Sequence, residues 1–343
     1  MTHRRLGSAP RAAFTLIELL VVVAIIAILI GILLPALGRA RSAAFQTKGL
    51  AMQKQLTTGL ISYASSNDSW IPGLNTTGLR VRILETQTDK PLDNKSNLPT
   101  QTWDWMTAAL DGENLPAKRA ERLLKLMNEF KDPAMREISQ PTSNSPQDIK
   151  DLASTMGGFP GVSFIMPSGF LWFGQQVGTG VNTTAWGQPD WEKGACKIPT
   201  AYQPKYDRVG NASKKIAIAD AHRVVEATGS KIDGRAWISP DAGDDKAGGL
   251  YGAFVDSGAA AKWSVSYARK DQGNPSNGAN IATTYRHGGK MNAAFWDGSA
   301  SALAEEESRQ AVFWYPSRSE LGSEVQDEAK LDIRETNGKF FVP

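Results

Sequence analysis

Residues 14–37 read FTLIELLVVVAIIAILIGILLPAL, a run in which Thr15 and Glu18 are the only polar side chains. A helix rises about 1.5 Å per residue, so roughly 20 apolar residues cross the ~30 Å hydrocarbon layer of a bilayer. This run is long enough to span. Arg4, Arg5 and Arg11 precede it and Arg39, Arg41 and Lys48 follow it, so charge alone orients the span only weakly toward a cytoplasmic N-terminus. A secretory signal peptide, with an apolar core of about 7–15 residues, is too short a description. A plain signal anchor accounts for the length and the basic flank but not for Glu18. An acid costs about 2.5–3.5 kcal/mol near a bilayer centre and less toward the interface, so Glu18 asks for a partner.

Past Pro35 the pattern changes. Phe45, Gly49, Met52, Leu56, Leu60 and Tyr63 recur every three or four residues, while Lys48, Lys54 and Thr58 fall on the opposite side. That spacing predicts one amphipathic helix continuing to about Ser66, with Asn67-Asp68 and Pro72-Gly73 supplying the stop.

The stretch R-A-A-F-T-L-I-E-L-L-V-V at residues 11–22 resembles the cleavage and methylation motif of type IV pilins and type II secretion pseudopilins. The resemblance implies a leader, residues 1–13, cut by a prepilin peptidase between Ala13 and Phe14, with methylation of the new Phe14 amine. It implies that the span is retained and that Glu18 pairs with the amine of a neighbouring subunit. Pro35, with Gly31 one turn earlier, falls where pilin helices are loosened. One residue departs from the family pattern, since Ala13 stands where Gly is usual.

The remainder is expected to be one extracytoplasmic α+β domain, residues 67–343, giving a pilin-like architecture in which residues 14–66 form the membrane and stalk helix. Apolar residues make up 41% and charged residues 21% of the chain, which fits a globular bulk. The net charge of +3 comes from the three leader arginines, and without them 35 basic side chains face 35 acidic ones. Nothing there favours nucleic acid as a partner. Cys196 is the only cysteine, so no disulfide forms within the chain, and His3, His222 and His287 are too scattered for a histidine-rich metal site.

Within the domain, residues 117–130 read as a helix with Leu123, Leu124, Met127 and Phe130 inward, closed by Asp132-Pro133, and residues 138–149 read as a linker. Short β-like runs follow at 162–166, 170–173, 215–219, 251–255, 263–267 and 291–296, which suggests an antiparallel sheet laid on the stalk helix. The ten tryptophans could offer sugar-stacking faces, but Trp103, Trp172, Trp296 and Trp314 read better as core anchors.

Near the C-terminus, R-H-G-G-K-M-N-A-A-F-W-D-G-S at residues 286–299 is similar to the motif of His, nine residues, then Asp-Gly found at the end of many prepilin-type proteins, and I-A-I-A-D at 216–220 is similar to a strand those proteins place upstream. Ser299 stands where a second His is frequent. Asp297-Gly298 reads as a tight turn, with a His287-to-Asp297 hydrogen bond pinning it. A metal or catalytic pair is the alternative, but no nucleophile with an ordered base is visible and no Gly-x-Ser-x-Gly is present. Asp241, Asp244, Asp245 and Gly248-Gly249 could hold calcium, although their spacing does not fit an EF-hand and a solvated loop explains them better. No other cofactor is called for. The expectation is therefore a non-enzymatic filament subunit in the inner membrane, met by a prepilin peptidase and by other pilin-like subunits. The alternative is an anchored extracytoplasmic binding protein or hydrolase that uses the same leader.

Overall fold

The computed structural model describes residues 16–72, 105–110, 115–116, 119–135, 138–139, 147–160, 163–174, 196–220, 255–256, 284–323, 325, 328–330 and 333–343. The chain divides into two compact units, Met1–Ala44 and Phe45–Pro343. One helix, α1 (Leu16–Ser66), is continuous through Pro35 and contributes to both. In the first unit its apolar side chains from Leu16 to Leu37 are exposed, and the helix is long and apolar enough to cross a membrane.

In the second unit α1 changes character as its sequence does. Gly49, Gln53, Leu56, Thr57, Leu60 and Ala64 are buried, spaced by three or four residues, while Lys48, Lys54 and Thr58 are exposed. Of the expected stripe, Gly49, Leu56 and Leu60 are buried while Phe45, Met52 and Tyr63 are half-buried, and the buried face includes two polar members, Gln53 and Thr57. Gly59 is there for close approach. A Cβ on it would lie 1.9 Å from the Ala109 carbonyl oxygen at the end of α2 (Trp105–Ala109).

Two further helices precede the sheet, α3 (Arg119–Glu129) and α4 (Gln147–Met156). Short strands β1 (Ile138–Ser139) and β2 (Phe159–Pro160) flank α4 in the chain and pair with each other. At the two ends of the expected linker at 138–149, residues 138–139 form β1 and 147–149 begin α4, while 140–146 lie outside the described residues. The linker's Ser, Pro and Asn residues end before Gln147, and Ile149, Leu152 and Ala153 then supply a helical repeat.

The central sheet uses β3 (Phe164–Pro167), β5 (Ile216–Asp220), β6 (Val255–Asp256), β7 (Lys290–Phe295) and β8 (Ala300–Ala304), in the order β6-β3-β5-β7-β8. β4 (Cys196–Lys197), β9 (Glu320–Leu321), β10 (Glu335–Thr336) and β11 (Lys339–Phe341) form a second sheet, ordered β10-β11-β9-β4. The central sheet is antiparallel except at its edge, where β6 runs parallel to β3. β5 is buried along its whole length, as its apolar run Ile216–Ala219 should be, and the burial extends to Asp220 at its end. The run at 170–173 is not a strand. Ser168–Phe170 forms a 3₁₀ turn, and Phe170, Leu171 and Trp172 are buried as packing groups. Residues 251–254 and 263–267 lie outside the described residues.

Leu56 and Leu60 of α1 share one core with Trp105, Leu126, Phe164, Ile216, Ile218, Met291 and Trp296. Trp172, Trp296 and Trp314 are all core residues, and Trp103 lies outside the described residues. The architecture is α+β, a long amino-terminal helix followed by a sheet domain.

Candidate functional site

Two regions carry the residues singled out above. In the first, Glu18 occupies the first turn of α1 and is exposed. Ala13 and Phe14 lie outside the described residues, as do Asp241, Asp244, Asp245, Gly248 and Gly249.

The second region is a buried charge cluster between α1 and the central sheet, assembled from four distant parts of the sequence. Asp132 follows α3. Its Oδ1 accepts the Ala134 amide at 2.7 Å, so the turn that ends the helix at Pro133 also fixes the carboxylate. Asp220 is the last residue of β5, fully buried. Arg286 and His287 enter on the turn before β7, where Gly288 and Gly289 take φ of 65° and 83° and the Gly289 amide donates to the Tyr285 carbonyl at 3.1 Å. Glycine takes positive φ without a Cβ penalty, which suits it to both positions.

The Arg286 guanidinium donates to Asp220 Oδ1 at 2.8 Å and to the Ser163 carbonyl at 3.1 Å, and its Nε lies 3.4 Å from Asp132 Oδ1. His287 Nε2 is 2.8 Å from Asp132 Oδ2 and 3.4 Å from Asp220 Oδ2. The Asn292 backbone amide donates to Asp220 Oδ2 at 2.9 Å, and Gln53 Nε2 of α1 donates to Asp220 Oδ1 at 2.8 Å and to the Asn292 carbonyl at 3.3 Å. The Asn292 side-chain amide returns to α1, donating to the Gln46 carbonyl at 3.3 Å. Gly49 lets the helix come this close, because a Cβ there would stand 2.5 Å from Asp132 Oδ2.

Burial opposes charge on every member, and the neighbours decide who keeps it. Burial raises the Asp132 pKa, but the His287 hydrogen bond and the Arg286 charge outweigh it and hold the carboxyl below its usual range. At Asp220, more deeply enclosed and beside Asp132, burial wins and the pKa is raised. Burial alone would lower the His287 pKa. The hydrogen bonds to Asp132 and Asp220, with the two carboxylate charges, instead lift it to about 9.

The expected His287-to-Asp297 bond is not what forms. Asp297 is exposed, and its Oδ1 accepts from the backbone amide of Ser299 at 2.9 Å and its hydroxyl at 2.6 Å. Gly298, at φ 83°, completes the β7–β8 turn, with the Phe295 amide donating to the Ser299 carbonyl at 2.8 Å. β7 carries His287 and Asp297 to opposite ends of one strand, so the turn closes locally and the histidine faces α1. Asp132 was legible only as a helix stop, and Gln53 was not singled out at all. Two faint signals were available, a polar residue inside an otherwise apolar stripe and the aspartate ending I-A-I-A-D.

Residues 9–34 match the family model of the prokaryotic N-terminal methylation motif. No curated protein and no solved structure matches the chain. The match covers the amino-terminal segment alone. There it falls on a motif that heads a long apolar helix, and on both counts the chain is prepilin-like and fits a membrane-anchored protein.

Proposed function

We propose that the chain is a structural subunit of a type IV pilus-like or type II secretion pseudopilus-like assembly. A prepilin peptidase removes residues 1–13 and methylates the Phe14 amine. The mature subunit stays in the inner membrane through residues 14–37 with its domain outside the cytoplasm, and it joins other pilin-like subunits through α1. The observation that carries this reading is the methylation motif at residues 9–34 on a helix whose side chains from Leu16 to Leu37 are exposed. A carboxylate at position 18 is expensive for a lone helix in lipid and is compensated when a neighbour's Phe14 amine meets it.

The buried cluster has a supporting role here. It ties Gln46 and Gln53 of α1 to Asp220 and Asn292, so pull on the helix is delivered to the sheet and not to a loop. Glu18→Leu tests the reading. The variant should insert in the membrane, lose its leader with a mass consistent with cleavage after Ala13 and methylation, and fail to crosslink with its own or related subunits at matched membrane levels. Assembly equal to wild type would point to an anchored binding protein, which needs the span and not the acid.

A further inference from the structure

Two carboxylate oxygens and an imidazole nitrogen converge inside the second unit. Asp132 Oδ2 and Asp220 Oδ2 stand 2.8 and 3.4 Å from the same His287 Nε2, and ligand atoms of all three residues lie within 4.8 Å of one another, all buried. Two ligands sharing a first-row divalent ion, each bonded at about 2.0–2.2 Å, stand roughly 3 Å apart. The other oxygens are held from outside: Oδ1 of Asp220 by Arg286 and Gln53, Oδ1 of Asp132 by the Ala134 amide with Arg286 Nε nearby. Outer donors that fix carboxylates while their second oxygens converge are the arrangement of a metal's second shell. Asn292 N also donates to Asp220 Oδ2.

An independent observation points the same way. Gln53 and Asn292 are both fully buried, and Gln53 Oε1 and Asn292 Oδ1 have no hydrogen-bond partner among the described residues. Both carboxamides border the cluster through their nitrogens, Gln53 Nε2 on Asp220 Oδ1 and Asn292 Nδ2 in the space beside Gly49 and Asp132 Oδ2. A buried carbonyl oxygen left without a partner is costly, and a cation is a partner for it. Charge leaves room for one as well. Arg286 balances one carboxylate, and either a proton on His287 or a metal ion balances the second.

We propose that Asp132, Asp220 and His287 form a divalent-cation site, with the carboxamides of Gln53 and Asn292 bordering it. A set of two carboxylates and one imidazole selects zinc or manganese over calcium, which takes six to eight oxygen ligands. Gln53, donating to the ligand Asp220, would link the ion to α1. The site stands whether or not the chain joins a filament.

The full chain, purified in detergent and stripped with EDTA, is dialysed separately against zinc, manganese and calcium. Bound metal is then measured by mass spectrometry and melting followed for each. Wild type should retain about one equivalent of zinc or manganese and melt at a higher temperature with it, while Asp132→Asn and His287→Gln lose roughly tenfold or more in affinity. Because those variants can fail to fold, wild type alone decides against the proposal. Retention of no ion with unchanged melting, or retention of calcium alone, overturns it. Undiminished zinc or manganese binding in a folded His287→Gln chain does so too.

Discussion

His287 and Asp297 belong to one sequence motif and have unlike surroundings, so their alanine variants should differ sharply. His287→Ala leaves Asp132 and Asp220 sharing Arg286 in a buried site, and removing one partner of a buried ionic group costs about 3–5 kcal/mol. Asp297→Ala removes hydrogen bonds in an exposed turn and should cost roughly 0.5–1.5 kcal/mol. Thermal melts of the two full-length variants check the ratio, and equal losses would mean the cluster is not the stronger tie. Lys215 makes a separate test. It is fully buried, its ammonium donates to the Val312 and Pro343 carbonyls at 3.0 and 3.1 Å, and burial lowers its pKa to about 7. A lysine whose folded value lies below its unfolded value of 10.5 binds fewer protons folded than unfolded between those limits. Stability therefore rises with pH from about 7 to about 10.5, at no more than about 1.4 kcal/mol per pH unit. His287 slopes the other way over the lower part of that window. Its stabilisation is whole below 6.5 and is lost as pH rises through about 9. The difference between wild type and Lys215→Met, melted across pH 6–10 with EDTA present, isolates the lysine. The variant should gain most at pH 6 and lose its advantage by pH 10.

α1 is one element with two kinds of glycine. Gly31 has open space around it, whereas Gly59 meets the backbone of Ala109, and Gly49 meets Asp132 and Asn292. Gly31→Ala should shift stability by less than about 1 kcal/mol, since it adds helix propensity and no clash. Gly59→Ala forces α1 away from α2 and should cost about 1–3 kcal/mol or more. Denaturant unfolding of the pair would show it, and a silent Gly59→Ala would mean the two helices separate freely. The helix itself was readable in advance because its signals are local: an unbroken apolar run, then a three-to-four spacing, then Asn67-Asp68. β5 and β7 were readable for the same reason. The helix at 147–156 was hidden behind the Ser/Pro/Asn stretch before it, and the parallel pairing of β6 with β3 depends on a crossover that no short window contains.

Across the whole molecule the same division holds. The α+β class and the membrane helix follow from composition and periodicity. The cluster does not, because Gln53, Asp132, Asp220 and Arg286 with His287 are brought together by topology, and each taken singly has a bland explanation as a helix face, a helix stop, a strand end or a turn. Their separation has a kinetic side. The Gln53–Asp220 bond spans 167 residues, and the Asn292 contacts with Gln53 and Gln46 span 239 and 246. Contacts of such long range form late, since the loops they close must be ordered first. A chain emerging from the ribosome makes α1 at the outset, yet the strand that seats it, β7, comes some 240 residues behind. Until Asn292 has emerged, the buried stripe of α1 has only part of its final surface to rest on, the earlier residues such as Trp105, Ala109 and Leu126. Docking of the first helix therefore waits for β7, and a subunit that presents a seated α1 has already completed its synthesis past β7.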